Sequence, residues 1–453
     1  MIESRRFRGL RLGLAAAVLL VLFGTALGFA RLRDSRSSRP DIVLVVWDTC
    51  RGDRVSVNGY PHPTTPRLAE LAARGVVFRN AFSPSPWTPP AHASLFTGLL
   101  PRRHGLGEGR GDRVAPGIPL LAETLAKSGY ETAAVVANPH LSEATGLLAG
   151  FSTVAECWTE EGVPRSGEEV RAAVERWVRS RSPRGPRRPF LLFVNLMECH
   201  LPYRFEDGAV AAVRGDGAVN GARRAAREVT VEAANRHLYG AERIDAGTIR
   251  DLGAAYDGAV RLADRATGGI LDALGGAGLL EKALVVVAGD HGENLGEHGE
   301  LTHMMSVYDT VLRVPLVAAW PGRLEGGRIE EAQVRLQDLY PTLLEAAGVS
   351  VPVPCGRDAR TLLEEPLRSR VLEAEYGPAS DFVEDVRRLD PDLAPEFLER
   401  FHLRWRAVRE PAGTPGARKR ITVERAAAGG GWTLVREEVY DPVADPGEER
   451  DLK

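Results

Sequence analysis

The sequence predicts an α/β fold, in which a mainly parallel central sheet is flanked by helices and a smaller α+β subdomain follows at the C-terminal end. Three observations support this prediction. Continuous apolar, β-branched runs alternate with helical stretches between residues 41 and 350, as in parallel sheets buried on both faces. Four of these runs end in polar residues. After Pro352, apolar and polar residues alternate instead, as they do in antiparallel strands.

The first 40 residues carry a basic cluster that is followed by an apolar segment. Four arginines lie within residues 5–11, and the nineteen residues Leu12–Ala30 are uncharged. This length is close to the ~20 residues of a membrane-spanning helix. Gly28-Phe29-Ala30, however, has the small-x-small pattern of a signal-peptide cleavage site. We therefore expect residues 1–40 to be a membrane anchor or a signal, together with a polar linker.

Both alternatives place the rest of the chain outside the cytoplasm. A retained segment predicts a membrane-anchored protein whose body lies in the periplasm or at the cell surface, and a cleaved segment predicts a secreted protein. The predicted domains are residues 41–350, which carry the candidate functional residues, and residues 351–453, which carry a small antiparallel sheet.

Four predicted strands form the centre of the sheet, and helices are predicted between them. The strands are Ile42–Trp47, Glu131–Ala137, Pro189–Asn195 and Ala283–Ala288; the helices are Arg67–Arg74, Leu120–Ser128, Ser166–Ser180 and Leu252–Leu274. The polar residues that follow these strands are Asp48, Asn138, His140, Glu198, His200, Asp290 and His291. Ligands of parallel sheets bind beyond the carboxyl ends of the strands. The coincidence of four such endings therefore predicts an active site at this edge.

Two further regions have a different pattern of apolar and polar residues. Residues 204–250 are rich in Ala, Arg and Gly, have weak periodicity, and are expected to form a helical insertion or a loop over the site. In the C-terminal part, antiparallel strands are predicted at Arg404–Arg409, Arg420–Arg425 and Trp432–Glu438, with turns between them.

Charge and cysteine content exclude some classes of protein. The formal net charge is −3, but residues 1–40 hold eight arginines against two acidic residues, so the remainder carries −9. A body this acidic argues against nucleic-acid binding. The four cysteines have no metal-ligand spacing, and four free thiols are favoured over a single optional disulfide.

A candidate nucleophile lies near the start of a short predicted helix. Thr88 is followed by two prolines and, ten residues later, by Gly98, which is the pattern of an N-capped helix and needs no further function. The functional alternative is that the Thr88 hydroxyl lies at a helix N-terminus, where a bound anion is stabilised. Residues elsewhere in the chain favour this second interpretation.

Asp48, Asp290 and His291 are common metal ligands, and each comes directly after a predicted strand. A divalent ion between them would lower the pKa of a nearby hydroxyl and polarise an ester oxygen. With the hydroxyl of Thr88 as the fourth ligand, the predicted site holds one divalent ion. Because one ligand is an imidazole, Mn²⁺ or Zn²⁺ is favoured, and Ca²⁺ or Mg²⁺ is also compatible.

These residues lie in motifs that resemble those of the sulfatase family of the alkaline-phosphatase superfamily. The similar segments span about Pro40 to Asp451 and are Val46–Arg51, Thr88–Gly98, Glu198–Tyr203, Gly289–Glu293, Tyr308 with Arg313–Leu316, and Tyr440–Glu448. Each is weakly specific alone, whereas six in the family's order are strongly specific. The resemblance implies an alkaline-phosphatase-like fold and a metal-dependent hydrolase of phosphoric or sulfuric esters.

The nucleophile motif departs from that of true sulfatases. Where the family has a Cys or Ser that is oxidised to formylglycine, and an Arg four residues later, this chain has Thr88 and His92. Threonine cannot form that aldehyde, because its Cβ carries a methyl group. The resemblance is instead to superfamily members with Thr nucleophiles that act on phosphoesters, and Thr49 and His291 resemble the single-metal phosphodiester and phosphonate branch. Leu196 stands where a two-metal enzyme needs an Asp, so one metal is expected.

The resemblance also assigns roles to histidines. His200 matches a family residue that contacts the ester oxygens. His303, near the position of a family Lys, is expected to protonate the leaving oxygen. His92 is expected to orient Thr88 or to accept its proton. The remaining histidines are expected to be structural, rim or surface residues: His62, His104, His237, His298 and His402.

Three functions are compatible with these features. The first is a phosphoester hydrolase or phosphotransferase that uses Thr88 on a phosphodiester or phosphomonoester. The second is a sulfatase that acts without formylglycine. The third is a non-catalytic binder of envelope polymers, although such a binder need not retain Asp48, Thr88, His200 and Asp290 together. The expected partner is a phosphate- or sulfate-ester substrate, for example an envelope glycan or lipid.

Overall fold

The central sheet contains eight strands. The computed structural model describes residues 39–109, 111–181, 187–391 and 393–453. Its strands, in chain order, are β1 Ile42–Trp47, β2 Val76–Phe78, β3 Ala81–Phe82, β4 Glu131–Val136, β5 Thr153–Glu156, β6 Phe190–Leu196, β7 Leu284–Gly289, β8 Asn294–Leu295, β9 Leu301–Thr302, β10 Arg313–Val314, β11 Leu316–Ala319, β12 Arg328–Glu330, β13 Val334–Arg335, β14 Leu372–Tyr376, β15 Leu403–Arg409, β16 Lys419–Ala426 and β17 Trp432–Tyr440. The sheet order is β12-β2-β11-β7-β1-β6-β4-β5.

Helices connect these strands and cover the sheet. They are Pro66–Ala72, Thr88–Thr97, Pro101–His104, Leu121–Lys127, Gly167–Ser180, Asp207–Arg214, Asp216–Glu228, Val231–Leu238, Ala246–Gly276, Asp309–Leu312, Leu339–Ala346, Val383–Leu389 and Pro395–Glu399.

The four strands predicted for the centre of the sheet are neighbours. β7, β1, β6 and β4 lie side by side and pair in parallel. Every residue of β1, β6 and β7 is buried, as expected of strands covered on both faces. β11 extends the sheet antiparallel to β7. The predicted α/β fold is confirmed, and the carboxyl ends of the four parallel strands meet at one edge.

Apolar layers lie on both faces of the sheet. Alternate side chains of β1 point to opposite faces. One set packs in the layer that contains the long helix Ala246–Gly276, and the other set packs in the layer that contains the helix Thr88–Thr97. The indole Nε1 of Trp47 donates a 2.8 Å hydrogen bond to Thr267 Oγ1 on the long helix. The end of β1, where Asp48 follows, is therefore held firmly in place.

The weakly periodic region 204–250 is helical. Asp207–Arg214 and Asp216–Glu228 pack against the long helix Ala246–Gly276, and Val231–Leu238 packs near β9. Their buried residues are mostly small, including Ala209, Ala222, Ala225 and Ala234. Small side chains permit close helix packing but give little hydrophobic contrast, which explains the weak pattern in the sequence. The predicted helical insertion is confirmed, and the loop alternative is wrong.

The C-terminal residues form the predicted antiparallel sheet, with the order β14-β15-β16-β17. The three predicted strands correspond to β15, β16 and β17, and β14 was not predicted. One face of this sheet shares an apolar core with Phe82, Tyr308 and Leu312. Asp41–Lys453 forms a single compact unit. The domain boundary at residue 351 stays a prediction.

Buried charges also join the C-terminal sheet to the rest of this unit. Lys419 is 1% exposed, and its Nζ lies 2.8 Å from Asp309 Oδ1 and 2.6 Å from Glu448 Oε1. Arg409 Nη1 lies 2.8 Å from Asp309 Oδ2. We call these four residues the Lys419 network. Such buried charges are tolerated because they compensate one another.

The predicted N-terminal anchor or signal, Leu12–Ala30, lies outside the described residues. In the part of the chain that the structure describes, no helix has both the length and the apolar character needed to cross a membrane. All four cysteines are buried free thiols, as favoured from the sequence.

Candidate active site

Three predicted metal ligands come together at the carboxyl edge of the sheet. Asp48 follows β1, and Asp290 and His291 follow the adjacent β7. All three are fully buried, and one ligand atom from each lies within 4.8 Å of the others. Thr49 adopts a left-handed conformation with φ of 54°, and its N–H donates a 3.0 Å bond to Asp290 Oδ1. A β-branched residue is strained in this conformation, and here the strained turn ties the two strand ends together.

Two amides hold Asp48. Asn138 Nδ2 donates to Asp48 Oδ2 at 2.8 Å, and Asn195 Nδ2 donates to the same oxygen at 3.3 Å. Asn138 is oriented in turn by the N–H of His140, which donates to its Oδ1 at 2.8 Å. Burial alone would raise the pKa of Asp48, but the fields of His200 and His291 and the Asn138 hydrogen bond outweigh it and lower that pKa. Asp48 is therefore held as a carboxylate.

Asp290 is left with an unsatisfied oxygen. Its Oδ1 accepts from the N–H groups of Thr49 and His291, while its buried Oδ2 has no hydrogen-bond partner among the described residues. Burial and the nearby Asp48 carboxylate raise the pKa of Asp290 well above its ordinary value. Two buried carboxylates that lie close together are costly unless a cation compensates them, and more so when one oxygen has no hydrogen-bond partner. The residues present therefore fit a divalent ion.

The Thr88 hydroxyl lies beside this cluster. Thr88 is 3% exposed, and its Oγ1 is 3.3 Å from His291 Nε2, 3.5 Å from Asp48 Oδ1 and 3.4 Å from Asn138 Nδ2. His291 Nδ1 lies 3.0 Å from the carbonyl of Gly292, to which it can only donate, so Nε2 presents its lone pair toward Thr88. The four predicted ligands are thus brought to one place.

The sequence interpretation of Thr88 as the N-cap residue is wrong. Trp87 occupies the N-cap position with extended backbone angles, and Thr88 is the first residue of the helix Thr88–Thr97. The hydrogen-bond contacts of the Thr88 hydroxyl are to Asp48, His291 and Asn138, and none of these is a backbone N–H group of the helix. The hydroxyl contacts the carboxylate, imidazole and amide groups at the edge of the sheet instead. The helix end thus delivers a hydroxyl to the site without using it to satisfy a backbone N–H group.

Two more histidines, His200 and His303, lie near His291. The His303 ring lies with its centroid 4.6 Å from that of His291 and 5.3 Å from those of His200 and Trp87. His303 Nδ1 is 2.9 Å from Glu293 Oε1. Burial raises the pKa of Glu293 to about 8, and burial together with His200 lowers the pKa of His303 to about 3. The two groups therefore form an uncharged pair when taken together.

The other predicted residues lie as follows. His200 Nδ1 donates to the carbonyl of Leu201 at 2.6 Å, which leaves Nε2 available to a substrate. His92 is fully buried, and its Nδ1 lies 2.9 Å from the backbone carbonyl of Thr88. This contact suits the predicted orienting role of His92, since it reaches the main chain of Thr88 and not its hydroxyl.

Other histidines make contacts away from the Thr88 hydroxyl or at the rim of the site. His104 is fully buried between Ser94 Oγ and the N–H of Leu106, at 3.0 and 3.2 Å, as a structural residue. His298 stacks on Tyr308 with ring centroids 3.6 Å apart. Sequence reasoning assigned no role to His140, whose ring lies 5.7 Å from that of Trp87 at the same site. The signal for His140 was its position two residues after a strand-end Asn.

The chain is similar to known proteins in sequence. The family model described as Sulfatase matches residues 40–349. A Delta 4,5-hexuronate-2-O-sulfatase of Bacteroides thetaiotaomicron is 24% identical over 446 residues, which cover 91% of this chain and 84% of that protein. An N-acetylgalactosamine-6-sulfatase of Mus musculus is 27% identical over 395 residues, which cover 79% of this chain and 72% of that protein.

Solved structures share the fold. The phosphonate monoester hydrolase of Agrobacterium radiobacter superposes with a TM-score of 0.68 at 19% identity, covering 91% of each chain. A 2-O GAG sulfatase superposes with a TM-score of 0.65 at 18% identity, covering 91% of this chain and 87% of the other. Both a sulfatase and a phosphonate monoester hydrolase therefore have this architecture.

Proposed function

The chain belongs to the sulfatase family of hydrolases, and from this premise we propose that it cleaves or transfers a phosphoester, a phosphodiester or a phosphomonoester, with Thr88 as the nucleophile. One observation carries the proposal. The buried Thr88 Oγ1 lies between Asp48 Oδ1 and His291 Nε2, at 3.5 and 3.3 Å, in a cluster that also contains the unpartnered Oδ2 of Asp290.

The identity of the nucleophile favours phosphorus over sulfur. Oxidation of a threonine side chain gives a ketone, so the aldehyde hydrate by which formylglycine enzymes eliminate sulfate is not accessible to Thr88. A plain alkoxide suffices for in-line attack on phosphorus, where the developing charge is spread over the equatorial oxygens. The phosphoester therefore matches what a buried threonine can do without modification.

Each residue has a role in this proposal. Asp48, Asp290, His291 and the Thr88 hydroxyl would hold one divalent ion. When bound, that ion would supply charge neutralisation and a lowered pKa for the hydroxyl. Thr88 Oγ1 loses its proton to solvent and attacks phosphorus, and the bond from phosphorus to the leaving oxygen breaks, with its electron pair staying on that oxygen. His200 binds the ester oxygens, His303 protonates the leaving oxygen, and water or an acceptor alcohol then releases the phosphoryl group from Thr88.

A sulfate ester is the second candidate substrate. It is favoured by the names of the curated relatives, which include a hexuronate-2-O-sulfatase and N-acetylgalactosamine-6-sulfatases. The names of those relatives also favour a glycan as the alcohol part of the substrate. In this alternative, Thr88 would act on sulfur without prior oxidation.

We propose further that the protein acts outside the cytoplasm on an envelope glycan or lipid. The support is the basic cluster and the uncharged segment Leu12–Ala30 in the sequence. Fractionation of cells that express the full chain or a chain lacking residues 1–30 tests this proposal. The full chain should sediment with membranes and the truncated chain should not, and a full chain in the cytosolic fraction would contradict it.

A turnover panel tests the chemistry. The purified protein is assayed with bis-nitrophenyl phosphate, nitrophenyl phosphate and nitrophenyl sulfate, each with Mn²⁺, Zn²⁺, Mg²⁺ or Ca²⁺, and with Thr88→Ala as the matched control. We expect a phosphate ester to have the highest kcat/KM and the control to be inactive. Much faster hydrolysis of the sulfate by wild-type protein would instead establish the second candidate.

A further inference from the structure

Glu293 is an unusual residue for its position. It is fully buried two residues after His291, its Oε1 lies 2.9 Å from His303 Nδ1, and its Oε2 has no hydrogen-bond partner among the described residues. A buried carboxyl group costs free energy unless its interactions repay that cost. Its Oε1 contacts the imidazole of His303, whose ring centroid lies 4.6 Å from that of His291.

The backbone around His303 is also strained. His298, Thr302 and Met305 all have positive φ, of 57°, 66° and 54°. Such conformations are strained for residues other than glycine, and most for a β-branched residue such as Thr302. Two of the three lie within two residues of His303. Strain of this kind persists only where the surrounding structure enforces it.

Ionic contacts enforce this backbone. Strands β8 and β9 form a hairpin that ends immediately before His303. Arg51, which is 2% exposed, bonds the carbonyl of Glu293 at 3.0 Å and the carboxylate of Glu297 at 2.9 Å through Nη1. Nη2 of Arg400, in the C-terminal region, lies 3.1 Å from Glu300 Oε1. Both arms of the hairpin are thus fixed, and the segment that follows has little freedom to move His303.

We propose that Glu293 is a positioning residue that holds the Nδ1 side of His303, so that Nε2 serves as the proton donor to the leaving oxygen. This inference rests on the proposed function, because it concerns the step in which the bond from phosphorus to the leaving oxygen breaks. The ring lies among His291, His200 and Trp87, the residue before the nucleophile. With Nδ1 occupied by Glu293, Nε2 is the ring nitrogen available to the substrate.

The proton balance follows from the hydrogen bond between Glu293 and His303. One proton is shared between Oε1 and Nδ1, and Nε2 carries a second. When the bond from phosphorus to the leaving oxygen breaks, its electron pair stays on that oxygen, which takes the proton from Nε2. The shared proton then remains on Nδ1, so the pair ends as a carboxylate and a neutral imidazole. A glutamine at position 293 keeps the size and polarity of the side chain but lacks the carboxyl group that holds Nδ1 of His303.

A pair of esters that differ only in the leaving group tests this role. General-acid assistance is needed for a poor leaving group such as an alkyl alcohol and is nearly dispensable for dinitrophenol. Glu293→Gln should therefore lower kcat for the alkyl ester by about 100-fold or more and kcat for the dinitrophenyl ester by far less. A merely structural effect would lower both alike. Glu300→Gln, which alters a partly buried acid of the same hairpin, is the control and should give equal changes for both esters.

Three outcomes overturn the proposal. One is an equal loss on both esters in a Glu293→Gln protein that binds metal as wild type does. Another is an additive loss when Glu293→Gln is combined with His303→Gln, because a positioning residue loses its effect once its partner is gone. If Glu293→Gln does not fold, an equal loss on both esters in His303→Gln is the third. Failure of the proposed function is separate, because it would appear as wild-type turnover of sulfate esters alone, and the same test then uses alkyl and aryl sulfates.

Discussion

Some side chains at the sheet edge have polar atoms that make no strong hydrogen bond among the described residues. Asp290 is the clearest case, because its Oδ2 is buried and unpartnered among the described residues, and a second carboxylate lies beside it. Thr88 is similar, because its hydroxyl is surrounded by polar groups at 3.3–3.5 Å and none is at the shorter distance of a strong hydrogen bond. Such looseness is expected of groups arranged around an ion.

Replacement of Asp290 should remove the metal. We expect Asp290→Asn to lower bound divalent metal from about one ion per chain to a small fraction of that and to abolish turnover, because one anionic ligand is lost. Elemental analysis of the purified protein measures the metal. Asp264→Asn is the matched control, since Asp264 is also buried but accepts from backbone N–H groups of Arg67 and Leu68. Unchanged metal in Asp290→Asn, or two ions in the wild type, would contradict the single site.

Replacement of Thr88 should separate its chemical role from its helical one. Thr88→Ser keeps the hydroxyl and should retain measurable turnover. Thr88→Ala should lose orders of magnitude in kcat at unchanged stability, because the hydroxyl contacts the polar groups of the site and not a helix N–H group. Thr97→Ala, on the same helix, is the control and should stay active. Mass spectrometry after acid quenching should find the phosphoryl group on Thr88. Full activity in Thr88→Ala would show that another group is the nucleophile.

For single residues, the sequence predicts which polar side chains follow strands. It does not predict the hydrogen bonds that hold those side chains in place. Asp48, Asp290 and His291 are recognisable because they come directly after apolar runs. Asn195 is the last residue of the predicted third strand, but its bond to Asp48 crosses to a neighbouring strand. Glu293 meets His303 only because the hairpin between them turns the chain back. Contacts of this kind depend on strand order and turn geometry, which local patterns do not encode.

Elements away from the active site carry features of their own, and the glycine-rich residues 105–109 are one example. These residues form no helix or strand, yet they include the buried Glu108. Glu108 Oε2 accepts a 2.9 Å bond from the N–H of Gly377, directly after β14. Burial raises the pKa of Glu108 from 4.5 to about 8. This loop therefore connects the two sheets through a carboxyl group that is protonated in the folded protein.

The ionisation of Glu108 should make stability fall with rising pH. Between pH 4.5 and about 8 the unfolded chain loses this proton while the folded chain keeps it, so the free energy of unfolding decreases across that window by up to about 1.4 kcal/mol per pH unit. Glu108→Gln keeps the acceptor and should flatten this dependence. Urea denaturation at several pH values measures it, with Glu345→Gln on an exposed helix face as the control. An unchanged slope in Glu108→Gln would contradict the assignment.

Among the elements, the central strands were the most predictable. β1 begins and ends at the predicted residues, because a buried strand is apolar along its whole length. β2, β11 and β14 were not predicted, since they are only three to five residues long. The helix Ala246–Gly276 begins earlier than predicted because Asp245 caps it through the N–H groups of Gly247 and Thr248.

Over the whole molecule, the C-terminal sheet is bound to the rest by burial of both apolar and charged groups. Loss of one partner in the Lys419 network would leave buried charges without compensation. We expect Lys419→Met to lower the free energy of unfolding by about 3–5 kcal/mol, and chemical denaturation measures this. Lys282→Met, at an exposed position, should change it by no more than about 0.5 kcal/mol. A small effect of Lys419→Met would mean that the apolar core alone joins the sheet to the rest.

The position of β7 has a consequence for how this protein is made. β7 lies between β1 and β11, but 241 residues separate Thr49, just after β1, from Asp290, just after β7. During synthesis, the edge of β1 that pairs with β7 therefore stays unpaired until more than half of the chain has been added. Pairings this distant in sequence form slowly, and open apolar edges recruit other chains. The nascent chain thus has a long interval of aggregation risk, which ends at the same step that first brings Asp290 to Asp48.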